Sequence, residues 1–324
     1  MDDDVSPVPI PPAPVPPAPV SPAPVSQLGQ RAALDTQTLK ALSTPSDAKG
    51  LRHLTGHLSL LALTSALVLW SSGGFWIAPA LLAQGVVLIF LFAPLHETIH
   101  RTAFRSRRLN DGVATLCGFL LLLPAGYFRA FHLQHHRFTQ DPTRDPELAG
   151  PPLATRSAYL LHVSGLPYWA ERLATTWRHA LGRTLEPYIT ARLRPAIVRE
   201  ARLHLAGYGL IAGAGLLAGS DVLLLLWVIP ALLGQPALRL YLLAEHTGCP
   251  PLRDLLANSR STLTAAPLAA LSWHMNLHTA HHAYPGLPFH ALPAADRLLA
   301  PHMAVRAAGY IPVQREIWRR LTPA

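Results

Sequence analysis

Charge and cysteine are both scarce in this chain. Only 14% of its 324 residues are charged, against about 25% in an average soluble domain. Half of the residues are hydrophobic, so the deficit points to a membrane protein. The two cysteines, Cys117 and Cys249, are far apart and lack C-x-x-C spacing. Neither a disulfide framework nor a cysteine zinc site follows from them, and a packing role is expected for both. No Gly-rich dinucleotide fingerprint appears, nor a C-x-x-C pair for a rubredoxin domain, nor a recognisable haem-binding domain. The opening residues, with Asp2, Asp3 and Asp4, lack the basic n-region and apolar core of a signal peptide. The excess charge is basic, +9. Its arginines lie beside apolar segments, which fits the cytoplasmic flank of a membrane protein rather than a nucleic-acid face.

Proline is abundant, and much of it sits in residues 6–25, SPVPIPPAPVPPAPVSPAPV, where the unit P/S-P-A-P-V recurs from Pro11, Pro16 and Ser21. Such a stretch favours polyproline II and cannot bury a core. Residues 1–50 are therefore expected to be a disordered, solvated tail. Residues 51–300 form the membrane domain and 301–324 a C-terminal cytoplasmic segment.

Four apolar stretches follow, at 54–70, 75–95, 203–219 and 222–243. At 1.5 Å per residue, stretches of this kind match a bilayer core of roughly 30 Å. They pair as two hairpins, turned at 71–74 and at Ser220 and Asp221. Residues 112–126 are apolar but short, and Pro124 cuts their end, so an interfacial or re-entrant segment is expected there. The polar region 137–202 carries Arg172, Arg178, Arg183, Arg192, Arg194, Arg199 and Arg202, and reads as a membrane-surface region. With Arg101, Arg105, Arg107 and Arg108 after the second span, the positive-inside rule makes this face cytoplasmic. Both termini fall on the same side. The expected fold is all-α: a multi-pass membrane protein with four transmembrane helices in two hairpins and a cytoplasmic helical cap.

Histidine carries the chemistry. The segment WHMNLHTAHHAYPGLP, residues 273–288, contains His278, His281 and His282 as H-x-x-H-H. The pattern recurs at His132, His135 and His136, and a shorter box pairs His96 with His100. On a helix, positions i, i+3 and i+4 share a face, so each box is expected to point its imidazoles one way. Eight such histidines exceed what one tetrahedral ion can use, and imidazole suits iron, zinc and copper. The boxes therefore read as ligands of a two-metal site. His96–His100 also reads H-E-x-x-H, the zinc metalloprotease motif with Glu97 as base. That reading leaves the other two boxes unexplained. A metal transporter would hold its ligands near the bilayer midplane, whereas these lie at span ends.

The stretches HETIHRTAFRSRRLND, FHLQHHRFTQDP and NLHTAHHAYPGLPFHALP, with their order and placement after the second and fourth spans, resemble the membrane-bound histidine-box di-iron enzymes. That superfamily includes fatty acid desaturases, carotenoid ketolases and hydroxylases, and alkane hydroxylases. The resemblance covers roughly residues 54–295, and the wider wording is most similar to the bacterial fatty acid desaturase group. It implies two irons, O2 as co-substrate, a long-chain apolar substrate such as a lipid acyl chain, and an integral location, for a bacterial protein in the inner membrane. It also implies a separate electron donor of the ferredoxin type, which the basic face would suit. The family adds a further histidine after the last span. His246, in LAEHTGCP, matches that position, and His274, one turn before His278, competes for it. Metal-bound imidazoles usually donate their other N–H to a carboxylate or carbonyl. Asp141, Asp145 and Glu147 are candidates for that role against a reading as ordinary loop acids, and His290 is a further neighbour candidate. His53 and His57 form an i, i+4 pair at the outer end of the first span, expected to be interfacial. His162, His179, His204 and His302 lack a box pattern and are expected on the surface.

Overall fold

A computed structural model describes residues 34–323. The P/S-P-A-P-V repeats lie outside the described residues. The last part of the expected tail is not unstructured. Asp35 caps a helix α1 (Thr36–Leu42), its carboxylate accepting from the Thr38 N–H at 2.9 Å. Ser46 in turn caps α2 (Asp47–Trp70). Ser and Asp side chains satisfy the free N–H groups of a first turn. Leu34, Leu39 and Leu42 pack against a buried cluster that includes Leu277 and Leu287, beside the third histidine box. A tertiary partner far along the chain holds this segment in place.

Helices dominate the rest of the chain. After α2 come α3 (Ile77–Ile89) and α4 (Phe92–His100), nearly continuous across Phe90 and Leu91. Then α5 (Arg107–Leu120) and α6 (Ala125–Phe138) meet at a bend of 100°. α7 (Arg156–Val163), α8 (Leu166–Ala180) and α9 (Arg194–Leu217) lead to a π turn at Leu224–Val228 and α10 (Ile229–His246). The C-terminal part holds α11 (Ala266–Leu271), α12 (His278–Ala283), α13 (Leu292–Leu299) and α14 (Tyr310–Arg320). Among the described residues the named strands are two-residue segments, β1 (Ser261–Thr262) and β2 (Arg306–Ala307), paired in parallel. Residues 301–324, expected as a separate segment, are tied in: Val313, Ile317 and Leu321 are buried with Leu243 and Ala244 of α10.

Three helical stretches are long and apolar enough to cross a bilayer: Asp47–Trp70, Ile77–His100 and Leu224–His246. The bent α5–α6 pair makes a fourth if it is counted as one span. This modifies the expected four spans in two hairpins. Most of the stretch 203–219 falls inside α9, which ends at Leu217 and whose first turns carry Arg194, Arg199, Glu200 and Arg202, and α9 is not among the three. The α5–α6 pair leaves the first histidine box and returns to it, because His100 and His132 end in the same cluster.

Two features join the spans. Gln84, 2% exposed, accepts from the Thr64 hydroxyl at 2.5 Å and donates to Ser65 Oγ at 3.0 Å and to the Leu226 carbonyl at 3.1 Å. One amide thus ties three apolar helices, where an unpaired polar group would be costly. The second is the crossing of α3 and α10. A Cβ on Gly85 would lie 2.9 Å from the Gly234 nitrogen, and one on Gly234 would lie 3.0 Å from the Gly85 Cα. The backbones touch, as small residues allow in membrane helix pairs. At the far end, Trp70, Phe75 and Trp76 are 76%, 87% and 60% exposed, in keeping with an aromatic belt at a bilayer surface.

This crossing sets the height of His246 against His96, so filling it has a defined effect. Gly234→Leu is expected to destabilise the protein by about 1–3 kcal/mol or more through overpacking, read as a lower thermal midpoint in detergent. Gly56→Ala, where an added Cβ meets nothing within 4 Å, is the control. Equal midpoints for the two variants would sink the account of the crossing.

Candidate metal centre

The nine histidines singled out as ligands gather at one place, in two groups. His96, His100, His132, His136 and His281 form one; His135, His246, His278 and His282 form the other. Within each group the candidate ligand nitrogens lie within 4.8 Å of one another. The groups adjoin, since the His136 and His282 rings stack at 4.2 Å.

The expectation that each box points one way is corrected. In α6, His132 and His136 serve the first group while His135 serves the second. In α12 the pattern is exchanged: His278 and His282 serve the second group and His281 the first. The reason is helical pitch. At 3.6 residues per turn, positions i+3 and i+4 stand about 100° apart around the axis. H-x-x-H-H is therefore a forked motif, and two facing copies build two sites. The rigid α4 delivers His96 and His100, and α10 ends on His246.

The nitrogens face one another closely. Nε2 of His246 lies 2.9 Å from Nε2 of His278 and 3.2 Å from Nε2 of His135. Nε2 of His136 lies 2.9 Å from that of His132 and 3.0 Å from that of His281. Meanwhile Nε2 of His96, His100 and His282 are buried without a hydrogen-bond partner. Buried polar atoms are normally satisfied, so orphaned nitrogens aimed into shared clusters fit a cation-binding role for each. Protonation supports this. Burial, reinforced by neighbouring histidines, holds His278, His281 and His282 well below the ordinary imidazole range. Neutral rings keep the lone pairs that metal ligation needs.

Outer partners orient the rings. Nδ1 of His135 lies 2.9 Å from Asp145 Oδ1, and Glu147 Oε2 is 3.6 Å from the same nitrogen. Burial raises the Asp145 carboxyl, but His135 and the N–H groups of Gln140 and Glu147 outweigh it and hold the group below its ordinary value. Nδ1 of His246 donates to the Asn258 carbonyl at 3.1 Å, and Nδ1 of His282 lies 3.3 Å from the Thr139 hydroxyl. Nδ1 of His278 is 3.4 Å from Glu245 Oε1. The roles of Thr139, Glu245 and Asn258 were not foreseen. Asn258 acts through its backbone, which leaves no signal in side-chain type. Glu245 stands beside His246 and offered the one available hint.

Other candidates fall elsewhere. Asp141 touches no histidine; it is engaged by Arg144 and Thr143. His274 and His290 belong to neither group. His274 adopts a left-handed backbone, φ 60°, with its ring 6.4 Å from that of His53. His53 and His57 bond to the carbonyls of Ala270 and Val87. Two of the expected surface histidines are in fact buried: His179 pairs with Glu186 at 3.0 Å, and His204 bonds to the Glu200 carbonyl at 2.9 Å. His302 is exposed. Cys117 and Cys249 are buried and free. Glu97 is fully buried, and its Oε2 accepts from Thr102 at 3.2 Å and from the Phe289 N–H at 3.1 Å. It clamps the segment after the third box, and its partner histidines share their cluster with three more. Neither feature fits the base of an H-E-x-x-H protease.

The fatty acid desaturase family model matches residues 46–314 of the chain, which spans both apolar pairs, the bent pair and all nine histidines. The chain therefore belongs to the fatty acid desaturase family, the superfamily of histidine-box di-iron membrane enzymes. Comparison with curated proteins gives no match.

Four variants test the site. His246→Ala is expected to lose about half of the bound metal and nearly all activity, and His274→Ala to keep most of both, by elemental analysis of purified protein. Asp145→Ala should weaken metal retention about 10- to 100-fold, as loss of an outer partner does, while Asp141→Ala should not. The three box histidines of α12 contribute to the acid response of the stripped protein with a definite sign. His278, His281 and His282 have folded values below the 6.5 of the free group. The unfolded chain therefore binds more protons below that pH, and stability falls as pH drops. Chelator-treated protein should melt lower at about pH 5.5 than at about pH 7.5; an unchanged or higher midpoint would mean that these three rings do not govern the acid response.

Proposed function

We propose that the protein is a membrane oxidoreductase that uses O2 and a di-iron centre to desaturate a lipid acyl chain. The observation that carries this reading is the division of nine histidines, six of them buried and three half-buried, into adjoining groups of five and four, at the ends of apolar helices in a fatty acid desaturase family chain. His96, His100, His132, His136 and His281 would hold one iron; His135, His246, His278 and His282 would hold the other. Imidazole is a suitable donor for iron, and all-nitrogen sites of this size exceed a structural zinc site. When bound, such a pair supplies an O2-derived oxidant able to take hydrogen from an unactivated C–H bond.

The rest falls to the chain. Asp145, Asn258 and Thr139 fix ring orientation, and Glu245 stands against His278, so the inward nitrogens keep a constant geometry. Apolar packing around the site, with Leu91, Leu95 and Trp273 fully buried, keeps bulk water out. The α5–α6 bend returns to the cluster from within the apolar layer, which suits a substrate that arrives from the bilayer. Placement of the target carbon decides whether a second hydrogen is lost or oxygen is inserted. A carotenoid or alkyl-chain hydroxylase or ketolase therefore remains the second reading on the same scaffold.

In this proposal the boxes and both termini face the cytoplasm, with 203–219 as the remaining span. The arginine-rich stretches around 101–108 and 172–202 favour that orientation. Electrons come from a separate, ferredoxin-type donor that the basic face would attract.

Expression in a host with defined lipids, with and without a carotenoid pathway, tests the reading by mass spectrometry. Acyl chains that lose two hydrogens support the desaturase, and products that gain oxygen support the alternative. Purified protein should hold two irons; a single zinc, with peptide cleavage abolished by Glu97→Ala, would end the proposal. A reporter near residue 150 should read cytoplasmic and one within 71–74 external. An external reading near 150 would mean that the α5–α6 pair crosses.

A further inference from the structure

The structure has a groove away from the histidines, of about 420 Å³, between α10, α14 and α7. Leu240, Tyr310, Ile311 and Trp318 line its apolar part, and Arg315 and Arg319 stand on its lining. Its floor is fixed rather than collapsible. Gln314 donates to the Leu240 carbonyl at 2.6 Å and accepts from the Tyr159 hydroxyl at 2.9 Å. Ile311 remains 67% exposed, a costly arrangement in water but an ordinary one in lipid.

Depth and charge narrow the occupant. Leu240 lies six residues before His246, the end of the apolar stretch Leu224–His246, hence about 9 Å along the axis from the metal-centre level. In the membrane placement proposed above, with the histidines at the cytoplasmic face, that depth is just inside the acyl boundary of the bilayer. Tyr159, Tyr310 and Trp318 have the amphipathic rings found at that level. Arg315 and Arg319 are one helical turn apart. Neither forms an ion pair among the described residues, whereas the adjacent Arg320 is paired with Glu316. Long arginine stems can run along apolar surface and lift their guanidinium groups to the phosphate layer, where planar forks recognise phosphate oxygens.

We infer that this groove seats an anionic phospholipid of the surrounding bilayer, one acyl chain along Leu240, Tyr310, Ile311 and Trp318 and the phosphate at Arg315 and Arg319. The lipid is distinct from the molecule oxidised at the histidine clusters. The inference rests on the membrane placement proposed above.

Reconstitution in nanodiscs of equal phosphatidylglycerol and phosphatidylcholine with matched chains tests it. Lipids that stay with the protein through a delipidating detergent wash are counted by mass spectrometry. Wild type should retain phosphatidylglycerol over phosphatidylcholine by about thirtyfold, given roughly 1 kcal/mol for each of the two arginines near an anionic surface. The double variant Arg315→Gln/Arg319→Gln should bring the ratio to parity without changing metal content. Ile311→Trp, which fills the groove, should reduce retention of both lipids. Arg183→Gln removes a charge elsewhere and should leave the ratio unchanged. Equal retention of the two lipids by wild type, a preference that survives the double variant, or a preference lost equally in Arg183→Gln would overturn the inference. So would a dimer that Ile311→Trp dissociates, because a second copy would then be the occupant. Carbonate extraction separates the two levels: a protein released as soluble defeats the membrane reading, and one that stays integral without lipid preference defeats only the groove.

Discussion

The structure depends on holding nine imidazoles together with their nitrogens 2.9–3.2 Å apart across the closest pairs. Left to themselves in an apolar interior, such groups are unfavourable: each buried nitrogen lacks water, and any proton gained adds repulsion to its neighbours. Two arrangements offset this. Inward nitrogens can share a cation, and outward nitrogens can be bonded to groups that do not move. Asp145, Asn258 and Thr139 supply the second, and Glu245 adds a carboxylate beside His278. The helices must then arrive at fixed heights and rotations, which places a demand on everything below the site.

That demand explains the scaffold. The Gly85–Gly234 crossing brings α3 and α10 to backbone contact, so the helix that ends on His246 and the one that leads into His96 cannot slide independently. Gln84 locks α2 to the same pair by hydrogen bonds that would cost more to break in lipid than in water. Glu97, one residue from a ligand, binds the Phe289 N–H and closes the loop that follows the third box. Polar residues in the apolar layer thus have identifiable fixing roles.

Much of this was legible in the sequence. Three of the four apolar stretches stand out as helices long enough to cross a bilayer, because an apolar run of that length has few alternatives. The shortness of 112–126 and the position of Pro124 announced the bend. The three boxes named eight histidines through spacing alone, and the family resemblance pointed to His246 as the ninth, with His274 as its competitor. The stretch 203–219 was less secure, since α9 carries charge into its first turns. The order in 34–50 was hidden because it depends on packing against Leu277 and Leu287, more than two hundred residues away. His179 and His204 looked like surface residues for the same reason: the rings of Tyr127 and Phe119 pack against them from other segments.

The sequence by itself marked the chain as apolar enough for a membrane and singled out the eight box histidines as candidate ligands, with His246 added by the family resemblance. Composition, apolar length and i, i+3, i+4 spacing are local properties, and helix geometry converts them directly into faces and spans. Only the tertiary structure decided how the nine divide into five and four, since a forked box becomes two half-sites only when another box faces it. The same holds for the choice of Asp145 over Asp141 and of His246 over His274, and for the recruitment of the Asn258 carbonyl. Each is a distance between segments, and a distance across the fold is fixed by packing rather than by any property of the residues taken singly.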